Sequence, residues 1–364
     1  MLSYPGLRSS LGTFLLLLLC CNALALVVLQ NNLRNSNERP IIGILAQESS
    51  SKTFRKYGRS YIAASYVKFI ESAGARVVPI RLYRSEKEYD KIFQSTNGVL
   101  FPGGGVSLKT SEYARVARIF YKKALKANDK GDYFPVWGTC LGHQELTYLT
   151  SEKNLLVKTK TEDISLPLKF TTAAKDSRMF QDFPDDLLQK LATEPLTAHF
   201  HKWSVSMKNF GKNEKLHNFY KVLTTNTDGK IEFASTMEAY KYPIYGVQWH
   251  PEKSPFEWKN ISGIPHSPSA VKVTYYIADF LVNEEKLLAG IHTAGMNVKD
   301  QSFNADTIAT YSYPRHRATG RRMGRKGLGH TIGGAVFPQH FPPLSSGTIE
   351  ATLCENPMVI TLGD

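Results

Sequence analysis

The segment Gly138-Thr139-Cys140-Leu141-Gly142 has the G-x-nucleophile-x-G form of a nucleophile elbow. A sharp strand-to-helix turn strains the backbone of its central residue, the flanking glycines leave it room, and the side chain is lifted out of the sheet. The helix that starts at the next residue turns its positive end toward the sulfur. That favours a thiolate over a thiol of ordinary pKa, about 8.5. The alternative is a buried cysteine packed as a small apolar residue. The glycine bracket and the strand–helix context favour the nucleophile. The other cysteines, Cys20, Cys21 and Cys354, lie in an apolar leader and a C-terminal tail, so the body of the chain holds one thiol.

A thiolate that attacks a carbonyl needs a base and an oxyanion site. The run IYGVQWHPEK reads as a strand that ends at His250, Pro251 and Glu252. An imidazole there can accept a proton, and a carboxylate two residues on can hold its tautomer. The backbone N–H of Leu141 is one oxyanion donor by the geometry of the elbow. The glycine loop Gly103-Gly104-Gly105 offers a second, because a residue without a side chain lets its amide approach substrate; its plainer reading is a tight turn. His199-Phe200-His201 raises a different chemistry, since residues i and i+2 of a strand face the same way and two imidazoles could bind zinc. No Cys, Asp or Glu stands nearby at ligand spacing, so substrate contact or a structural role is the better reading.

These residues need a frame. PIIGILA (40–46), ARVVPI (75–80), GVLFPGGG (98–105) and YFPVWG (133–138) read as strands, and the segments 61–73, 85–94, 111–127 and 141–150 as helices. Alternation at this pace predicts a parallel sheet with helices on both faces, its strand-to-helix corners gathered at the carboxyl edge where such folds bind ligands. From about 155 to 250 the pattern changes to short strands that suit an antiparallel extension, and a helix closes the domain near 289. The fold class is therefore α/β, a parallel-core sheet flanked by helices with an antiparallel extension.

Residues 1–25 read as a signal peptide: Arg8, an apolar run, then the small residues Ala23-Leu24-Ala25. The competing reading is an uncleaved anchor, since the apolar run from Leu11 to Leu29 is about long enough to span a bilayer. A polar linker follows over 26–39. One thiol in the body excludes a disulfide framework, and Asn260-Ile261-Ser262 is a glycosylation sequon suited to a surface loop of a secreted protein. The formal net charge of +13 is scattered rather than clustered, which favours anionic small ligands over nucleic acid. Residues 291–364 are basic and show little periodicity. They read as disordered, as the product of an incorrect gene model, or as a basic tail for anionic surfaces.

The elbow, the loop FPGGG and the terminal WHPE resemble the class I glutamine amidotransferase-like domain, which is flavodoxin-like in fold. More closely, PIIGILAQE, SYIAASYVKFIESAGARVVPI, WGTCLGHQELTYL, HFHKWSVS and YPIYGVQWHPEK resemble the folate γ-glutamyl hydrolase family over roughly 40–290. The resemblance implies cysteine-dependent cleavage of γ-glutamyl bonds in folylpoly-γ-glutamates through a thioester. It implies Cys140 as nucleophile, His250 as base and then acid, Glu252 as its orienting partner, Gly104 and Leu141 as oxyanion donors, and His201 as a substrate contact. It further suggests a homodimer and implies no metal or organic cofactor. The leader itself points to the extracellular space, the lysosome or the vacuole, with no membrane partner once it is cleaved, and the scattered charge to no nucleic-acid partner. Two rivals remain: a γ-glutamyl amine hydrolase or glutaminase with the same chemistry, and a dead relative that only binds. The intact thiol, imidazole and glycines count against the second.

Overall fold

The computed structural model describes residues 37, 39–49, 58–258, 261–286 and 359–362. The leader (1–25), most of the linker, the sequon residue Asn260 and nearly all of the 291–364 tail lie outside the described residues. Among those described, no helix is long and apolar enough to cross a membrane.

In chain order the elements begin with β1 (Ile41–Leu45), β2 (Gln47–Glu48), β3 (Ser60–Ala63), α1 (Ala64–Glu71), β4 (Arg76–Ile80), α2 (Glu86–Gln94), β5 (Gly98–Phe101), α3 (Glu112–Asp129), β6 (Val136–Thr139) and α4 (Leu141–Ser151). There follow β7 (Leu156–Leu166), β8 (Lys169–Phe170), α5 (Asp185–Thr193), β9 (Thr197–Val205), α6 (Met207–Lys212), α7 (Glu214–Phe219), β10 (Tyr220–Thr227), β11 (Glu232–Ala239), β12 (Ile244–Val247), α8 (Lys253–Phe256), α9 (Pro268–Lys286) and β13 (Val359–Leu362). Local chemistry explains several boundaries. The Ser85 hydroxyl accepts from the Glu88 N–H while Glu88 reaches back to Ser85, a capping box that starts α2, and Ser111 accepts from the Ala114 N–H to start α3.

The main sheet has eight strands in the order β4-β1-β5-β6-β12-β11-β10-β8. The first five are parallel; β11, β10 and β8 add on antiparallel. The core strands β1, β5, β6 and β12 are buried along their whole lengths, as parallel strands covered on both faces must be. From β1 the chain crosses to β4 on one side and then to β5 on the other, so the strand order reverses beside β1. The crevice this opens at the carboxyl edge is where the loop after β5 and the corner after β6 meet.

Three expectations need correction. The helix expected over 61–73 starts only at Ala64, because Ser60 and Tyr61 pair with Glu48 and Gln47 in a small antiparallel sheet; that pairing overrides the helical spacing. The strand containing Tyr245 belongs to the parallel core rather than the antiparallel extension, lying parallel to β6 on one side and antiparallel to β11 on the other. Among the described residues, β7 and β9 pair only with each other, as a ribbon. The tail also departs from the reading without regular structure at one place: Val359–Leu362 pairs antiparallel with β3, Ile360 opposite Ile62.

Candidate active site

Cys140 stands between β6 and α4 with φ 50° and ψ −100°, a backbone that costs a residue with a side chain on the order of 1–3 kcal/mol. Its N–H donates to Val247 O at 2.8 Å, and its carbonyl accepts from the Gln144 N–H at 3.0 Å, so ladder and helix grip it from both ends. The flanking glycines are required by packing. A Cβ on Gly138 would lie 2.6 Å from the Gly142 carbonyl carbon and oxygen, and a Cβ on Gly142 would overlap the Phe101 carbonyl of β5. The corner is therefore as tight as its sequence predicts. Leu141, at the first position of α4, carries one of the backbone N–H groups that no helix can satisfy internally.

The residues after β12 bring His250 to this corner. Its backbone N–H donates to Ala198 O of β9 at 2.8 Å, and its Nδ1 lies 2.7 Å from Glu252 Oε1. His250 is 6% exposed and Glu252 fully buried. Burial pulls the imidazole down, but the Glu252 carboxylate and Cys140 outweigh it and raise His250 to about 9. Burial likewise works upward on Glu252, and His250 overrides it to leave the carboxyl below its ordinary range. With Nδ1 taken by Glu252, Nε2 is the nitrogen left for the thiol; among the described residues it makes no full-strength hydrogen bond. Such contacts are commonly long before substrate arrives. Both side chains crowd one point, since a Cβ on Gly103 would lie 2.7 Å from His250 Cε1 and 3.2 Å from Cys140 Cβ.

The glycine loop after β5 is held by two side chains that the sequence pattern did not single out. The buried Tyr66 hydroxyl on α1 accepts from the Gly103 N–H at 2.8 Å and lies 3.4 Å from His250 Nδ1. The Gln47 amide, on the first residue of β2, donates to Gly103 O. Tyr66 takes the Gly103 N–H, so that amide is not free for a ligand. A Cβ on Gly104 would lie 3.1 Å from Leu141 Cδ2, so the two expected oxyanion residues are neighbours. Gln47 was findable because it stands two residues past the core strand β1, at the carboxyl edge. Tyr66 was not, because it sits on an apolar helix face like any core tyrosine.

A cavity of about 580 Å³ opens over Cys140 and Leu141, bounded by the loop 104–109, by Gln144 of α4 and by Phe200, His201, Lys202 and Trp203 of β9. Lys109 and Lys202 supply positive charge, and Lys202 pairs with Glu162 of β7 at 3.1 Å where both side chains are exposed. Gln144 follows Cys140 by one helical turn and donates to Trp203 O at 2.7 Å, tying α4 to the ribbon. His201 lines the cavity, yet both its ring nitrogens face protein groups: Nε2 is 3.0 Å from His199 Nδ1 and Nδ1 is 2.9 Å from Thr161 Oγ1. Among the described residues, no group of three or more His, Cys, Asp or Glu is placed to hold a metal ion. Thiol, imidazole and carboxylate thus converge beside a cavity lined by Lys109 and by the Lys202–Glu162 pair.

Comparison with known proteins fits this geometry. The Peptidase C26 family model matches residues 40–252, a span that includes Cys140, His250 and Glu252. The chain belongs to the Peptidase C26 family. The gamma-glutamyl hydrolase of Homo sapiens is 60% identical over 269 residues, 74% of this chain and 84% of that protein. The gamma-glutamyl hydrolase of Bos taurus is 61% identical over 249 residues, 68% of this chain and 78% of its own length. Gamma-glutamyl hydrolase B of Dictyostelium discoideum is 41% identical over 253 residues, 69% of this chain and 73% of that protein. The family match ends at Glu252, so α8, α9 and the tail lie beyond it.

Proposed function

We propose that this protein hydrolyses γ-glutamyl bonds, with folate poly-γ-glutamates as substrate, by a thioester mechanism centred on Cys140. The observation that carries the reading is the strained Cys140 corner set against the buried His250–Glu252 pair. The similarity to gamma-glutamyl hydrolases supports the choice of bond. Lys109 and Lys202 suit a chain of glutamates, each of which carries an α-carboxylate into the cavity.

In this reading the Cys140 sulfur attacks the γ-carbonyl carbon, and the carbonyl electron pair moves onto oxygen, where the N–H groups of Leu141 and Gly104 receive it. The intermediate collapses as the C–N bond breaks, and the imidazolium of His250 gives its proton to the departing amine. A water molecule then attacks the thioester while His250 takes its proton. The C–S bond breaks, releasing the carboxylic acid and restoring the thiolate. Glu252 holds Nδ1–H throughout, so Nε2 is the nitrogen that moves protons. His201 forms a wall against which the substrate lies. Residues 1–25 direct the chain into the secretory route, to the extracellular space, lysosome or vacuole, and the enzyme acts as a homodimer without nucleic-acid or membrane partners.

The test is chromatography of the products from a pteroylpenta-γ-glutamate incubated with wild type and with Cys140→Ala. Shorter pteroylglutamates from wild type and none from the variant are expected. A pentaglutamate left intact while glutamine releases ammonia would replace the hydrolase reading with a glutaminase.

A further inference from the structure

α3 carries more positive charge than the acids around it match. Arg115 pairs with Glu112, and Lys123 pairs with Asp90. Arg118, Lys122 and Lys126 follow one another at i, i+4 and i+8, on one face of the helix, and among the described residues none of the three has an ion-pair partner. Lys122 and Lys126 are exposed and Arg118 is half-buried. Like charges one turn apart work against a helix. A cation in the last turn suits the helix dipole, which accounts for Lys126 but not for Arg118 and Lys122 in the middle. The row starts at the end of the cavity. Tyr148 of α4 lines that cavity, and the Arg118 guanidinium lies over the Tyr148 ring, 5.8 Å from its centre. Tyr121 then meets Thr150 at 2.7 Å, so α3 and α4 run side by side in one direction. Glu152, just past α4, is held below its ordinary range first by its hydrogen bond to Lys215 and then by the charges of Arg118 and Lys122. The row therefore continues from the cavity down the flank of the molecule.

We propose that Arg118, Lys122 and Lys126 form an exosite for the poly-γ-glutamate tail of the substrate, binding the α-carboxylates of glutamates that leave the cavity past Tyr148. The proposal rests on the γ-glutamyl reading of the active site and adds where a long tail goes. Tyr148 follows Cys140 by eight residues, about 12 Å of helix. An ordinary peptide repeat spans about 3.6 Å, and a γ-linkage adds two carbon–carbon bonds, so an extended tail presents one α-carboxylate about every 6 Å. About two glutamates therefore cover the distance from the sulfur to Tyr148, and the next ones emerge beside Arg118. Members of the row stand four residues apart, again about 6 Å along the helix. Each further glutamate thus brings one carboxylate to one cation. Arg115 and Lys123 on either side are neutralised by their own acids, which confines the free charge to a single line. A single acidic chain fits a line, whereas a membrane or a nucleic acid needs a broad basic face.

The test compares KM for a pteroyldi-γ-glutamate and a pteroylpenta-γ-glutamate in wild type and in the double variant Lys122→Gln, Lys126→Gln. Both side chains are exposed, so the fold should survive the change. The diglutamate is too short to reach the row and serves as the internal reference. At low salt the pentaglutamate KM, taken relative to the diglutamate KM, should rise about fivefold, the combined effect of two exposed charge pairs. Charge reversal in Lys122→Glu, Lys126→Glu should raise it further, and added salt should shrink the difference from wild type. A ratio equal to that of wild type in both variants would overturn the proposal. Binding is read apart from turnover by calorimetry of Cys140→Ala with free penta-γ-glutamate, which carries no pteroyl group. Kd should rise about fivefold when Lys122→Gln and Lys126→Gln are added to Cys140→Ala, and an equal Kd would also overturn the proposal. If wild type hydrolyses neither substrate while the binding difference is found, the reading of the reaction fails and the exosite stands. If hydrolysis proceeds with no effect of tail length in the variants, the exosite fails and the reaction stands.

Discussion

Glu252→Gln removes one charge and almost no volume from the most buried part of the site, and its consequence can be worked through. Glu252 Oε1 lies 2.7 Å from His250 Nδ1, and the carboxylate is fully buried. Burial alone would push the imidazole below its ordinary 6.5; Glu252, with help from Cys140, brings it to about 9 instead. Glutamine keeps an oxygen to accept from Nδ1–H but loses the charge, so His250 should return to 6.5 or below. The difference corresponds to about 3 kcal/mol of preference for the imidazolium, at about 1.4 kcal/mol for each tenfold change. At pH 7.5 wild type would be almost wholly imidazolium and the variant only about one-tenth so. The assay is a pH titration of the His250 ring by ¹³C NMR, run beside kcat/KM from pH 5 to 9. The alkaline limb should move at least about two pH units toward acid in the variant. A ring that still titrates near 9 in Glu252→Gln would refute the claim that Glu252 holds the proton there.

Other perturbations test the frame around that pair. Tyr66→Phe strips the acceptor from the buried Gly103 N–H, a change worth about 1–3 kcal/mol; kcat should fall about tenfold or more with little change in KM, and an unaltered kcat would contradict the role given to Tyr66. Gly142→Ala drives a methyl into the Phe101 carbonyl, whereas a Cβ on Gly105 meets nothing within 4 Å. Urea denaturation should show the first variant destabilised by about 1–3 kcal/mol and Gly105→Ala near wild type, and equal midpoints would show the corner to be looser than described. Glu145 of α4 is fully buried without a hydrogen-bond partner among the described residues, and burial raises it to about 8 against a small opposing pull from Arg118. Its folded-state pKa lies above the unfolded one. Its contribution to stability is therefore complete below about 4.5 and lost as pH rises through 8. Glu145→Gln should gain Tm over wild type at pH 8.5 and much less at pH 5, and a gain equal at both would mean Glu145 does not titrate as described.

The reactive corner was legible because its chemistry is local. Two glycines bracketing Cys140 state the backbone geometry, and Glu252 follows His250 closely enough to show their pairing. The parallel core was equally plain in its β-branched runs. What escaped depends on contacts that only the fold makes. Tyr66 meets Gly103 across 37 residues of chain, and nothing in the apolar spacing of α1 separates it from a core aromatic. Tyr245 lies in a strand whose neighbours in sequence are antiparallel, so its parallel place beside β6 follows from sheet order and not from its residues. The spacing of His199 and His201 was visible, and it pointed to substrate contact or a structural role ahead of metal, without separating those two. The hydrogen bonds that tie that row to Leu166 and Thr161 exist only in the folded ribbon. Val359–Leu362 carries a strand-like run, yet its partner β3 lies about three hundred residues earlier, beyond any local signal.

The account stands on covalent chemistry at Cys140, and the most direct measurement is the mass of the protein during turnover. Wild-type protein mixed with a pteroyldi-γ-glutamate, quenched in acid within milliseconds and weighed intact, should carry one pteroylglutamyl group. Peptide digestion should place that group on Cys140, and Cys140→Ser should form no thioester. Rapid product release with no adduct at any quench time, or an adduct on another residue, would contradict the account.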